Sequence, residues 1–229
     1  MTQELVDFVK EHYTIPLYLV AWIISVIRYK RYYDTVLKYF PVFIIYTFLT
    51  ELLGYFIKHT DEFQFFSDYR YAWHNIVIFN IYSVVSFTFF YYIYWKVLKN
   101  EKHKVRVKYA SMIAALGYLV SLLFQNPLHI GLYYADLLAS IVLLYAIGLY
   151  FIEKRTEQSY YSMRDNLMFW VSIGLFIFHI FFPFIFIAAY DWPIFYYEYR
   201  LHEFLMILIV IMYLFFIAGF LLGKRKAFR

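Results

Sequence analysis

The chain has 229 residues, of which 64% are hydrophobic and 26% aromatic; it has no cysteine and a formal net charge of +5. So few polar residues cannot cover a soluble domain of this size. The lack of cysteine excludes disulfides, thiolate metal sites, iron–sulfur clusters and cysteine nucleophiles together.

From the first residue, the start reads Met-Thr-Gln-Glu4-Leu-Val-Asp7-Phe-Val-Lys-Glu11. A cleavable secretory signal needs a basic leader, so this segment reads as a short acidic extension before a retained first helix. No lipidation motif is present. Apolar stretches then follow at about 14–28, 36–57, 74–95, 109–125, 128–152, 166–189 and 201–223. Most approach the roughly 20 residues that cross a hydrocarbon core. The fold expected is an all-α integral membrane bundle of seven transmembrane helices forming a single domain over 1–229.

Positive charge orients that bundle. Of the 21 Lys and Arg, 17 lie in the first, third and fifth links and the tail, and only 4 in the N-terminal segment and the other links. Basic residues are retained on the cytoplasmic side, so the N-terminus is predicted outside and the C-terminus inside, in a cytoplasmic (inner) membrane. The same placement explains the basic balance as a retention signal, and nucleic acid is not an expected partner. Most of the 27 Tyr are read as an aromatic belt, with rings at the acyl boundary and hydroxyls among headgroups.

Other features concern helix geometry. The link Gln125-Asn126-Pro127-Leu128 is short enough to make spans four and five antiparallel neighbours. Pro183 inside span six should kink that helix and free a carbonyl near His179. Pro41 should act similarly, less severely, in span two. An offset of 128 residues pairs Glu51 with His179, His74 with His202 and Lys96 with Lys224. It suggests a parallel 3+1+3 repeat with span four as the inverting linker.

The polar residues then define a chamber. Six of seven histidines are predicted on the outer side: His12, His59, His74, His129, His179 and His202. Glu51, Asp136 and His179 fall within hydrocarbon depth, Asp136 eight residues into its span, or roughly 12 Å at 1.5 Å per residue. Ionisable groups avoid lipid there, so each should face the bundle interior. His129, Tyr133, Asp136 and Ser140, spaced 4, 3 and 4, share one face of a helix. Asn80 adds a polar group from span three, and His202 and Glu203 open span seven. Glu51, His74, Asn80, His129, Tyr133, Asp136, His179, His202 and Glu203 are therefore the predicted ligand-binding set, with Glu51, His74, Asp136, His179 and His202 converging on one chamber. Their proximity should raise at least one carboxylate and make His179 sensitive to it. The inner half has no ionisable residue except Lys38 at its boundary, which reads as an apolar plug.

Four histidines, His74, His129, His179 and His202, are the candidate metal ligands, with zinc the metal considered. No H-x-x-x-H or H-E-x-x-H spacing supports that, and no catalytic residue is assigned. In span number and length the chain resembles small uncharacterised heptahelical membrane proteins of bacteria, on the cues Tyr71-Ala72-Trp73-His74-Asn75 and Leu201-His202-Glu203. Its topology also resembles microbial rhodopsins. No Lys lies between Lys154 and Lys224, which excludes a retinal Schiff base in the last two helices. No cofactor is expected.

A polar pocket open to one side fits a receptor-like or sensory protein for a small ligand, proton or metal. Such a protein would act through a cytoplasmic or membrane protein partner docked on Lys96–Lys108 and the Lys224-Arg225-Lys226 tail, with anionic lipid of the bilayer as the simpler contact. A small-solute transporter and a membrane-embedded metal-dependent hydrolase are the alternatives.

Overall fold

A computed structural model describes residues 12–68, 71, 74–157 and 162–225. The acidic leader residues Glu4, Asp7 and Glu11, and Lys226 of the tail, lie outside the described residues. Within them the chain forms eight α-helices and no strand: α1 (Thr14–Ile27), α2 (Phe40–His59), α3 (Ile76–Val97), α4 (Glu101–Ser121), α5 (Tyr133–Thr156), α6 (Leu167–Asp191), the short α7 (Pro193–Glu198) and α8 (Leu201–Leu222). Five helices, α2, α3, α5, α6 and α8, are long and apolar enough to cross a membrane. The α1 helix is shorter, and α4 begins with charged residues. Large apolar side chains cover the outside of the bundle, as on α4, where Met112, Ile113, Leu116 and Leu119 are all exposed. A surface of this kind needs lipid, not water.

Packing follows chain order. The helices α1, α2, α3, α5, α6 and α8 close into a ring, α8 returning to α1, while α4 packs outside the ring against α3 and α5. The closest approach is α6 on α8, and glycine makes it possible. A Cβ on Gly174 would sit 3.0 Å from the Met212 carbonyl oxygen, and one on Gly219 would sit 2.7 Å from Leu167 Cδ1. Small residues let backbones approach where lipid supplies no hydrophobic drive to association.

The links gather at two ends. At one end Arg31 donates to the carbonyls of Leu221 and Gly223, both at 3.1 Å, answering the unpaired carbonyls and negative dipole of the α8 C-terminus. Arg225 pairs with Asp34 at 3.1 Å and Lys224 with Asp165 at 3.2 Å. Here too Glu153 accepts from Lys99 N at 2.7 Å and His103 Nδ1 at 2.6 Å. Lys154 and Lys99 beside Glu157 hold its carboxyl below the usual carboxylate range. This is the basic end. At the opposite, histidine end, His12 meets Tyr55 and His59, and Tyr133 meets Asp191. The seven longer helices therefore run alternately up and down.

Three boundaries differ from the sequence reading. The α4 helix starts at Glu101, well before the expected 109, because Asn100 caps it by accepting from Lys102 N at 2.9 Å and Glu153 takes up the neighbouring amides. The α5 helix starts at Tyr133, not near 128, because residues 127–132 are tied to the Asn80 amide. Asp136 thus lies in the first turn of α5, where the helix dipole favours an acid, and not two turns deep. Pro41 lies in the first turn of α2, where no amide donor is required, so it starts a helix instead of bending one. Pro183 does sit inside α6, which continues to Asp191.

Candidate functional site

Inside the ring lies a cavity of about 420 Å³ lined from α1, α2, α3, α5, α6 and α8. Its side chains come mainly from aromatic and apolar residues, with two acidic groups among them. Glu51 and Asp136 both line it, as do His179, Asn80 and His202, while no Lys or Arg among the described residues does. The volume falls in the range of small-molecule sites.

The two carboxylates occupy different surroundings. Glu51 projects from α2 toward Tyr18 of α1, Tyr82 of α3 and Tyr213 of α8. Tyr82 is itself fixed by its hydroxyl contact with Thr47 Oγ1 at 3.1 Å. Tyr18 and Tyr213 pack ring to ring at 4.6 Å. The buried Tyr213 hydroxyl lies beside Glu51 with Thr47 as its polar neighbour, and makes no well-formed hydrogen bond among the described residues. No cation is paired with Glu51 among the described residues. Tyr18 hydrogen-bonds to Glu51, but buried charges normally also find a counter-charge, so this carboxylate needs an explanation.

Asp136, by contrast, is held by the protein. It is 3% exposed, accepts from the Tyr118 hydroxyl at 2.5 Å and lies beside Ser83. His179 receives its own partner, Ser140, at 3.0 Å from Nδ1, and its ring packs among Phe87, Phe178 and Phe182. No ion pair joins His179 to either carboxylate among the described residues, so the coupling expected between them has no contact to carry it.

The remaining predicted residues separate from the chamber to different degrees. Asn80 borders it, but its amide is committed: Nδ2 donates to Pro127 O at 2.7 Å and Ile130 O at 3.1 Å, and Oδ1 accepts from Leu132 N at 3.0 Å. His202 lies at the histidine end and is exposed. Glu203, also exposed, is paired with Arg200, the one described non-glycine residue with left-handed backbone. Tyr133 stacks on Tyr190 at 4.7 Å and donates to Asp191 at 3.1 Å. His129 precedes α5, so it does not share the helical stripe with Tyr133 and Asp136. It packs against Tyr71 at 4.1 Å and Phe66 at 5.2 Å, with His74 at 6.0 Å, in a cluster outside the chamber lining. Burial and the neighbouring His129 hold His74 below the ordinary histidine value.

Sequence reading missed Tyr18, Tyr82, Tyr118 and Tyr213, all absorbed into the aromatic belt. The available signal was position for Tyr82 and Tyr213, which lie well inside apolar helices; Tyr18 and Tyr118 lie about a turn from helix ends and carried no such signal. Toward the basic end the cavity is floored by Phe43, Phe90 and Phe216. Below them Phe40 packs on Phe216 at 5.2 Å and Phe220 at 5.6 Å, and Phe43 stacks on Phe89 at 4.5 Å. At the histidine end the lining ends at Tyr190, Tyr196 and His202. The metal reading fits poorly. No group of three or more His, Asp or Glu side chains is placed to hold a metal ion among the described residues, because the four candidate histidines divide between the surface cluster, the chamber wall and an exposed helix start. Comparison with protein-family models, curated proteins and solved structures finds no match.

Proposed function

We propose that this chain is a receptor-like membrane protein of seven spans, N-terminus outside and C-terminus inside, in a cytoplasmic membrane, that takes a small ligand from outside into the chamber. The shorter α1 and the charged-start α4 complete the seven, α4 placing the basic residues Lys102 to Lys108 in the cytoplasmic headgroup layer. The single observation that carries the reading is the asymmetry of the cavity: ionisable and hydroxyl groups above, a layered aromatic floor below. A conduction path needs wettable groups from face to face. Here the floor interrupts them. Ligand occupancy would be passed through the tightly packed α6–α8 pair to the basic end, where a cytoplasmic or membrane partner, or anionic lipid, meets the exposed lysines and arginines.

Transport is the reading to be tested against. Reconstituted in liposomes, the protein should leave the flux of small amines, amino acids, sugars and protons at the protein-free rate. Saturable flux abolished by Asp136→Ala would replace the receptor reading with a transporter.

A further inference from the structure

The Glu51 half of the chamber has a chemistry of its own. Its acid has no cationic partner among the described residues, its neighbours are Tyr18, Tyr82 and Tyr213, and Phe43, Phe90 and Phe216 lie beneath. A carboxylate in a hydrocarbon environment without a counter-charge is costly, so its natural complement is a cation. Aromatic faces carry negative quadrupole potential and add attraction for an ammonium group once water is removed. The buried Tyr213 hydroxyl, with no well-formed hydrogen bond among the described residues, supplies one more polar contact. Since no Lys or Arg among the described residues lines the cavity, an anionic ligand would find no countercharge from them and would meet two carboxylates.

We infer that the chamber binds a small organic cation, an amine or quaternary ammonium with an apolar body, with Glu51 as its counter-ion and the three tyrosines as its cage. Asp136 is not the primary anchor, because two hydroxyls, Tyr118 and Ser83, hydrogen-bond to it, whereas Glu51 has only that of Tyr18. The apolar body of the ligand extends from Glu51 between the phenylalanines toward His179. This rests on the outward-open chamber proposed above and deepens it by naming the ligand class.

The chain has no cysteine, so one introduced thiol reports without background. Ser86 lines the chamber and lies one helical turn from Tyr82, and Ser86→Cys changes little in volume. Intact cells or right-side-out vesicles carrying this variant would be treated with trimethylammonium-ethyl methanethiosulfonate or its sulfonato-ethyl analogue, and each rate divided by that for a free thiol. The cationic reagent should react faster by roughly tenfold or more, the scale on which a charged cleft concentrates counter-ions. Adding Glu51→Gln should reduce the preference to about twofold or less, as a neutral cleft lacks that focusing, while Glu51→Asp retains it. Phenylethylammonium should slow labelling of Ser86→Cys, and phenylacetate should not; this arm holds even if Glu51→Gln fails to fold. Equal normalised rates for the two reagents, or protection by phenylacetate, would overturn the cation inference while leaving the chamber standing. Failure of both reagents to react would overturn the open chamber itself.

Discussion

At the residue scale, the same type of side chain takes different roles according to what meets it. Asn80 and Glu51 both border the chamber, but Asn80 has its amide occupied by the backbone of residues 127–132, whereas Glu51 has the Tyr18 hydroxyl and, among the described residues, no cation. Asn80 is therefore a clasp that sets where α5 begins, and through it the position of Asp136. Asn80→Ala should destabilise the protein by about 2–4 kcal/mol, because a buried amide and two carbonyls lose their partners together. Asn80→Asp should fall between the two, since it keeps the acceptor for Leu132 N and loses the donors. Thermal unfolding in detergent measures this. An unchanged midpoint for Asn80→Ala would return Asn80 to the ligand-binding set. None of this is legible in sequence: an asparagine in an apolar helix signals a buried partner, but the partner lies nearly fifty positions away in a loop.

At the element scale, helix existence was written in composition and helix ends were not. Runs of apolar residues place the long helices correctly. Their ends depend on caps and distant clasps, so α4 gains a charged first half from Asn100 and Glu153, and α5 loses its expected beginning to Asn80. The α6–α8 contact is set by glycine in the same context-dependent way. Gly174→Ala places a methyl 3.0 Å from a backbone oxygen and within 3.2 Å of Phe215 Cβ, where neither helix can yield alone. A cost of about 1–3 kcal/mol follows from such overpacking. Gly148→Ala is the control, because nothing lies within 4 Å of its added methyl, and it should hold or raise stability. Equal unfolding midpoints for the two variants would show that α6 and α8 are not held as closely as described. If the pair transmits ligand occupancy, Gly174→Ala should also weaken any ligand-dependent change at the basic end.

At the scale of the whole molecule, the sequence placed Glu51, Asp136 and His179 in one interior space, because ionisable groups in apolar helices have nowhere else to go. It could not divide that space into a Glu51 half caged by tyrosines and an Asp136 half satisfied by Tyr118, since the dividing residues are ordinary tyrosines in an aromatic-rich chain. Nor could it remove His74 and His129 from the chamber, because their aromatic cluster is assembled from loops. What remains is a bundle with a basic end tied by ion pairs, a layered phenylalanine floor, and above it a largely apolar cavity that holds two carboxyl groups. Under the receptor reading this cavity opens to one side only. The direct measurement is labelling of Ser86→Cys by a membrane-impermeant cationic thiol reagent in right-side-out and in inside-out vesicles, with a cysteine at exposed Lys102 as the control for the basic face. Ser86→Cys should react in right-side-out vesicles and stay unreacted in inside-out ones, with Lys102→Cys showing the reverse. Reaction of Ser86→Cys at similar rates in both preparations would contradict it.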